Sequence, residues 1–318
     1  MPYSILRPIL LVATILLAVA PRVAAGDIRH TFHHQNRSLE LLVSDEYREP
    51  MQRNLVIWAD YISQALLQVY GRWPRENWQI RVSPVSAGST DPIPWAQVHR
   101  GATDTVEFYT SLTASADELN NAWTSYHEIS HLLIPYRGWG DMWFSEGLAT
   151  YYQNVLQARV GRLNEQEMWQ HIYEGFRRGQ AQSEFDDVDL HTMSAELRQK
   201  GGYMRVYWSG AWYFLTADLR LRQQSGGKRT LDSALEKLNQ CCADQKMSVL
   251  EMVRKLDELN KLLLFHPLYL EMVSSTHTPS FEPLFASMGI SIINDAVQLQ
   301  TVGPGAKLRS EIAARKSL

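Results

Sequence analysis

The sequence predicts an α+β fold, a small sheet-bearing part followed by a mostly helical part, on three observations. Residues 52–71, QRNLVIWADYISQALLQVYG, set Leu55, Trp58, Ile62, Leu66 and Leu67 at helical spacing. NWQIRVS alternates Trp78, Ile80 and Val82 with Gln79, Arg81 and Ser83, the two-residue period of a strand with one buried face. Beyond about residue 162 the pattern becomes mostly helical. With 318 residues, 45% hydrophobic and 20% charged, the chain can bury a large core. A formal net charge of -3, without a Lys/Arg block, argues against a nucleic-acid or anionic-lipid partner.

At the amino terminus, MPYSILRPILLVATILLAVAPRVAAGD combines Arg7, an apolar run at 9–20 and the small-residue triplet Val23-Ala24-Ala25. This is the pattern of an export signal cleaved after Ala25. The run is short of the roughly 20 residues a helix needs to cross a bilayer, so no permanent membrane anchor is expected. The periplasm or the extracellular space is the expected destination. The domain division is then a signal peptide at 1–25, an α+β part at 26–165 and a helical lobe at 166–318. Cys241 and Cys242, the only cysteines, are adjacent. They can close a vicinal disulfide or stand as buried small apolar residues, and the second is expected.

The first helix covers 52–70, and Gly71 stops it. Pro84, Gly88, Pro92 and Pro94 mark a long loop between NWQIRVS and a second strand, TVEFYTS. Ser115 and Glu118 form a capping box, after which Leu119, Trp123, Tyr126 and Ile129 carry an apolar stripe to Pro135, which predicts one helix. A turn with Gly138 and Gly140 leads to another helix at about 141–160, closed by Gly161. YMRVYWSGAWYFLTADLRLR is apolar almost all round and predicts a helix buried on every side. Leu231, Leu235 and Leu238 mark the next helix, and the Ser248/Glu251 box opens another.

Chemistry concentrates in YHEISHLLIPYRGWGDMWFSEGLATYY, residues 126–152. His127 and His131, four apart, share one helix face and can aim both imidazoles at one ion. Zinc suits that pair, and Glu128 stands beside the ion, where a base must be to take a proton from water. A catalytic zinc takes three protein ligands, and Glu146, on the next helix, is the candidate third. The flanking Trp123, Tyr126 and LLI make an apolar setting in which unpaired His and Glu would be costly to desolvate. Thr150, one turn after Glu146, is a candidate for orienting a ligand. His30, His33, His34, His171, His191 and His266 are read as structural.

HEISH followed by WFSEGLATYY resembles the gluzincin metallopeptidases of the aminopeptidase-N superfamily and the glycyl aminopeptidase family. The resemblance is strongest over about 119–156 and returns at YWSGAWYFLTADLRLR, with its Tyr-x-x-Gly. It implies a thermolysin-like catalytic part with a small mixed sheet, one zinc ion per chain, zinc ligands at His127, His131 and Glu146, a base at Glu128, and a tyrosine at Tyr207. A phenolic hydroxyl there would steady the oxygen that gains charge during peptide hydrolysis. The Gly-x-Met-Glu-Asn signature is absent, and TVEFYTS, standing in its place, is expected as an edge strand that pairs with an extended peptide substrate. The expected activity is zinc-dependent peptide hydrolysis. The other role weighed is an inactive, zinc-stabilised peptide-binding or envelope-maintenance protein, against which the intact Glu128 argues.

Overall fold

The computed structural model describes residues 27–85, 90–135 and 140–316. The expected export signal and Gly138 lie outside them. The chain opens with a hairpin, β1 (Ile28–His34) and β2 (Arg37–Val43), so the His-rich entry segment is a strand. Helix α1 (Met51–Tyr70) ends at Gly71 in the left-handed conformation, as its glycine predicts. Next come β3 (Asn77–Pro84), β4 (Trp95–His99) and β5 (Asp104–Thr110). They form a mixed five-stranded sheet in the order β1-β2-β3-β5-β4.

This order corrects one expectation. TVEFYTS is β5, which pairs with β3 on one side and β4 on the other, so it is interior and has no free edge. The edge belongs to β4, which forms within the stretch read as a loop. Prolines at 84, 92 and 94 break the chain around β4 and obscure so short a strand.

One face of the sheet is apolar: Leu39, Leu41, Val43, Trp78, Ile80, Val82, Val106 and Phe108 are buried there. The other face is knit by polar side chains, with Gln79 donating to Glu40 at 2.6 Å, Thr105 to Gln79 at 3.1 Å and Gln97 to Glu107 at 3.0 Å. Helix α1 lies against the apolar face, with the Trp58 ring edge-on to Phe108 at 4.9 Å. Trp58 also donates to the Ser125 hydroxyl at 2.9 Å, which ties the sheet's helix to the segment carrying the histidines.

That segment is not one helix. The Ser115/Glu118 capping box opens α2 (Ala116–Asn121), the chain extends at Ala122, and α3 (Trp123–Ser130) follows. The break is stable because side chains serve carbonyls it frees: Ser125 donates to Leu119 at 3.1 Å and Tyr126 to Asn120 at 2.7 Å. His131 begins a 3-10 turn at the end of α3.

Helix α4 (Met142–Arg159) carries Glu146 and closes at Val160 and Gly161, close to expectation. Helices α5 (Glu165–Gln180) and α6 (Leu190–Lys200) lead to α7 (Tyr203–Ser225), whose buried residues lie all round it, as its composition predicts. Then come α8 (Leu231–Cys242), α9 (Val249–Asn260), α10 (Phe265–Val273), α11 (Glu282–Ser287), a hairpin of β6 (Ile290–Ile293) and β7 (Ala296–Leu299), and α12 (Pro304–Ala313). Buried residues from Leu39 to Ile312 form one continuous core. Cys241 and Cys242 are joined as a vicinal disulfide, contrary to the thiol reading. Among the described residues no helix is long and apolar enough to cross a membrane.

A buried charge cluster locks α4 to the later helices. Asp232 of α8 pairs with Arg159 at 2.9 Å and Lys316 at 2.7 Å and accepts from Tyr152 at 2.7 Å. Burial opposes its ionisation, but Arg159 and Lys316 outweigh burial and hold its carboxyl below the ordinary 3.8. A depressed carboxyl contributes stability above its unfolded pKa, and that contribution is lost as pH falls through the folded value. Asp232→Asn, which strands Arg159, is expected to cost about 3–5 kcal/mol at neutral pH. In urea melts the gap from the parent protein should shrink below roughly pH 4. A gap independent of pH would show that the pair does not carry the effect.

Candidate metal centre

The four groups singled out in residues 126–152 and Tyr207 come together in space. His127 Nε2 lies 3.2 Å from Glu146 Oε2, and His131 Nε2 lies 3.8 Å from the same oxygen. The two imidazole rings are 5.1 Å apart between centroids. One donor atom from each of His127, Glu128 and His131 falls within 4.8 Å of the other two. A tetrahedral zinc with nitrogen and oxygen ligands at about 2.0–2.2 Å separates its ligand atoms by about 3.3–3.5 Å, between the two spacings found here. The donor set, two imidazoles and a carboxylate with a second carboxylate alongside, has the chemistry of a catalytic zinc site.

Neighbours that the sequence reading missed orient the two imidazoles. His127 Nδ1 is 2.8 Å from Gln153 Oε1, and His131 Nδ1 is 2.9 Å from the Ser145 hydroxyl. Both rings therefore turn their Nε2 atoms to the common point. Gln153 lies seven residues, two helical turns, beyond Glu146 on α4, a spacing that could have flagged it. Thr150, the residue expected in such a role, hydrogen-bonds neither imidazole: its buried hydroxyl has no hydrogen-bond partner among the described residues. Gln153→Leu removes the acceptor for His127 and is expected to weaken zinc binding about 10–100-fold, read by competition with a colorimetric chelator. Undiminished affinity would mean that packing alone holds the ring.

The end of α3 is anchored from the sheet side. Arg100, just past β4, donates to the carbonyl of His131 and pairs with Asp104 at 2.8 Å. Tyr70, the last residue of α1, donates to the Leu133 carbonyl at 2.8 Å. These bonds satisfy the unpaired carbonyls of a helix end and fix the position of His131.

Glu146 and Tyr207 meet because two glycines let α4 and α7 touch. A Cβ on Gly147 would stand 2.3 Å from the Gly210 Cα, and one on Gly210 would stand 2.0 Å from the Trp143 carbonyl oxygen. Glu146 neighbours the first glycine and Tyr207 lies one turn before the second, so the backbone contact sets their side chains together. Tyr207 lies close enough to Glu146 for the carboxylate to raise its pKa, and its ring stacks at 6.0 Å on His127.

Electrostatics sort the groups into roles. Burial pushes Glu128 up to about 7, where a carboxyl can both take and release a proton at neutral pH. Burial pushes His131 down to about 4 and so keeps its ring neutral, as a ligand must be. Burial works against Glu146 as well, but His131, His127 and the Tyr207 hydroxyl outweigh it and hold that carboxyl at about 2. His127 is raised despite its burial, through the hydrogen bond and charge of Glu146. Tyr207 is raised by burial and by Glu146, so it keeps its hydrogen. A separate cavity of about 720 Å³, bordered by Arg37, Arg72, Arg75 and Cys241, includes none of these groups.

Histidines and carboxylates converging beside a mixed sheet define the metallopeptidase-like class of site. Within that class the chain resembles the gluzincin aminopeptidases. The model of the M61 glycyl aminopeptidase family matches residues 139–252, a stretch that holds Glu146 and Tyr207 and begins after His131. Among solved structures, an aminopeptidase N family protein from Idiomarina loihiensis is similar at a TM-score of 0.63 and 16% identity, over 84% of this chain and 50% of that one. An M1 zinc metallopeptidase from Deinococcus radiodurans is similar at 0.51 and 17%, over 80% of this chain and 53% of that one. At these identities the likeness is one of fold, and the chain spans about half the length of the structures it matches. No curated protein sequence matches it.

Proposed function

We propose that the chain is an exported zinc metallopeptidase, periplasmic or secreted, that hydrolyses peptide bonds on a thermolysin-like catalytic core. The observation that carries this reading is the aim of both Nε2 atoms at one Glu146 oxygen, with Glu128 within 4.8 Å of the imidazoles. His127, His131 and Glu146 would hold the ion. Zinc, when bound, supplies a Lewis acid that makes water acidic near neutral pH and polarises a carbonyl.

The chain's own residues supply the rest. Glu128 takes the proton of the attacking water and returns it to the leaving nitrogen, a double duty suited to a carboxyl poised near 7. Tyr207, which keeps its hydrogen, would donate a hydrogen bond to the substrate oxygen as that oxygen gains charge. Among the described strands β4 pairs only with β5, so its outer edge, beside α3, would offer backbone groups to an extended peptide.

The test is digestion of a mixed library of unstructured peptides by the purified protein, with and without a chelator, with cleavage positions read by mass and zinc by elemental analysis. One zinc per chain and chelator-sensitive cleavage are expected. A fully zinc-loaded protein that leaves every peptide intact would point to the binding role instead.

A further inference from the structure

Two exposed rings next to the site have no part in the hydrolytic chemistry. Trp123 is 52% exposed and Tyr203 41% exposed. Trp95, another exposed aromatic ring, packs against Tyr109 at 4.7 Å. A single exposed apolar side chain needs no explanation, but exposed rings grouped along a candidate site can mark a ligand-binding groove.

Their placement says which partner. Trp123 stands one turn before His127 on α3, with ring centroids 5.7 Å apart. Tyr203 stands one turn before Tyr207 on α7, at 6.2 Å. His127 and Tyr207 stack on each other at 6.0 Å. The four rings therefore form a row, Trp123, His127, Tyr207, Tyr203, in which the groups that handle the scissile carbonyl are central and the exposed rings are the two ends. On a helix, residues i and i+4 share a face, so each exposed ring extends the face that carries the site.

We propose that Trp123 and Tyr203 determine specificity by receiving large apolar side chains, aromatic ones above all, from the substrate residues next to the scissile bond. The inference rests on the peptidase reading and names its substrate class. A peptide advances about 3.3–3.6 Å per residue, so with its carbonyl at the centre of the row the flanking side chains come within reach of the end rings. Phe, Tyr or Leu there would cover ring surface that is otherwise wet, with the added attraction of edge-to-face or offset stacking for an aromatic partner. Ala and Gly would leave the rings exposed, and Asp, Glu or Lys would be desolvated against them without a counter-charge.

The experiment compares peptides that differ only in the residues flanking the cleaved bond, Phe against Ala, for the parent protein, Trp123→Ala, Tyr203→Ala and Trp123→Phe. The parent should favour Phe by about tenfold or more in kcat/KM, the range an apolar pocket gives for a few carbon atoms. Each alanine variant should lower that ratio several-fold while keeping one zinc per chain, and Trp123→Phe should restore most of it. A structural role would lower both substrates together and leave the ratio unmoved. A parent protein that cleaves peptides without favouring Phe, or a ratio unchanged in both alanine variants, overturns the inference and leaves the peptidase reading standing. A zinc-loaded parent that cleaves nothing overturns the peptidase reading instead. If one alanine variant loses zinc, the ratio in the other and in Trp123→Phe decides.

Discussion

Glu128→Gln is expected to lower peptide hydrolysis by about 10²–10⁴-fold while leaving one zinc per chain, because it removes a proton carrier and nothing else. The amide matches the carboxyl in size, so the packing of α3 against α1 and α4 is preserved. It cannot take a proton from water, and it cannot hand one to the leaving nitrogen. Burial already holds the Glu128 carboxyl near neutral affinity for its proton, so a neutral amide costs the fold little. Turnover of unstructured peptides, zinc content and thermal midpoint, measured on one preparation, separate the outcomes. Loss of activity with metal and midpoint intact supports a base at this position. Unimpaired turnover would place the base elsewhere and remove the main reason for reading the site as hydrolytic.

Gly210→Ala is expected to damage both fold and site. Its new Cβ would lie 2.0 Å from the Trp143 carbonyl oxygen and 2.6 Å from the Gly147 Cα, and backbone atoms cannot turn aside as a side chain can. Helices α4 and α7 must separate. Overpacking of a core costs about 1–3 kcal/mol, and a clash against backbone belongs at the upper end or beyond. The same displacement draws Tyr207 away from Glu146, so activity should fall further than stability alone explains. Denaturant midpoints and kcat, measured where the variant remains folded, check this. Gly210→Ser should be no better, since its Cβ meets the same atoms. A variant with wild-type stability and activity would mean that the two helices can slide apart without consequence for the centre.

The histidine pair and Glu128 of the candidate metal centre were legible in the sequence because they are local to one another. Four-residue spacing puts His127 and His131 on one side of the chain whether the second sits in a helix or in the 3-10 turn found at its end. The capping box at Ser115 and Glu118 likewise acts within one turn and forms as read. Helix α1 followed from its apolar spacing, α4 from the glycines that bound it and α7 from being apolar almost all round, with Gly71 and Gly161 marking the ends of the first two. What failed was set by partners distant in sequence. TVEFYTS is strand-like in itself, but whether it is an edge depends on β4, a five-residue strand hidden among prolines. The break at Ala122 depends on where Ser125 and Tyr126 find carbonyls to bind. The β1–β2 hairpin depends on the parallel pairing of β2 with β3 across α1.

By itself the sequence determined where the residues suited to metal and acid–base chemistry lie and which long segments are helical, since both follow from residue type and spacing along a few turns. Only the tertiary structure decided that Glu146 meets the two imidazoles, that Gln153 and Ser145 aim them, that Tyr207 reaches Glu146 through a glycine contact, and that Trp123 and Tyr203 flank the result. Those relations join α3, α4 and α7, and distances between helices are set by how side chains and backbones pack in the core, which no spacing along one chain encodes.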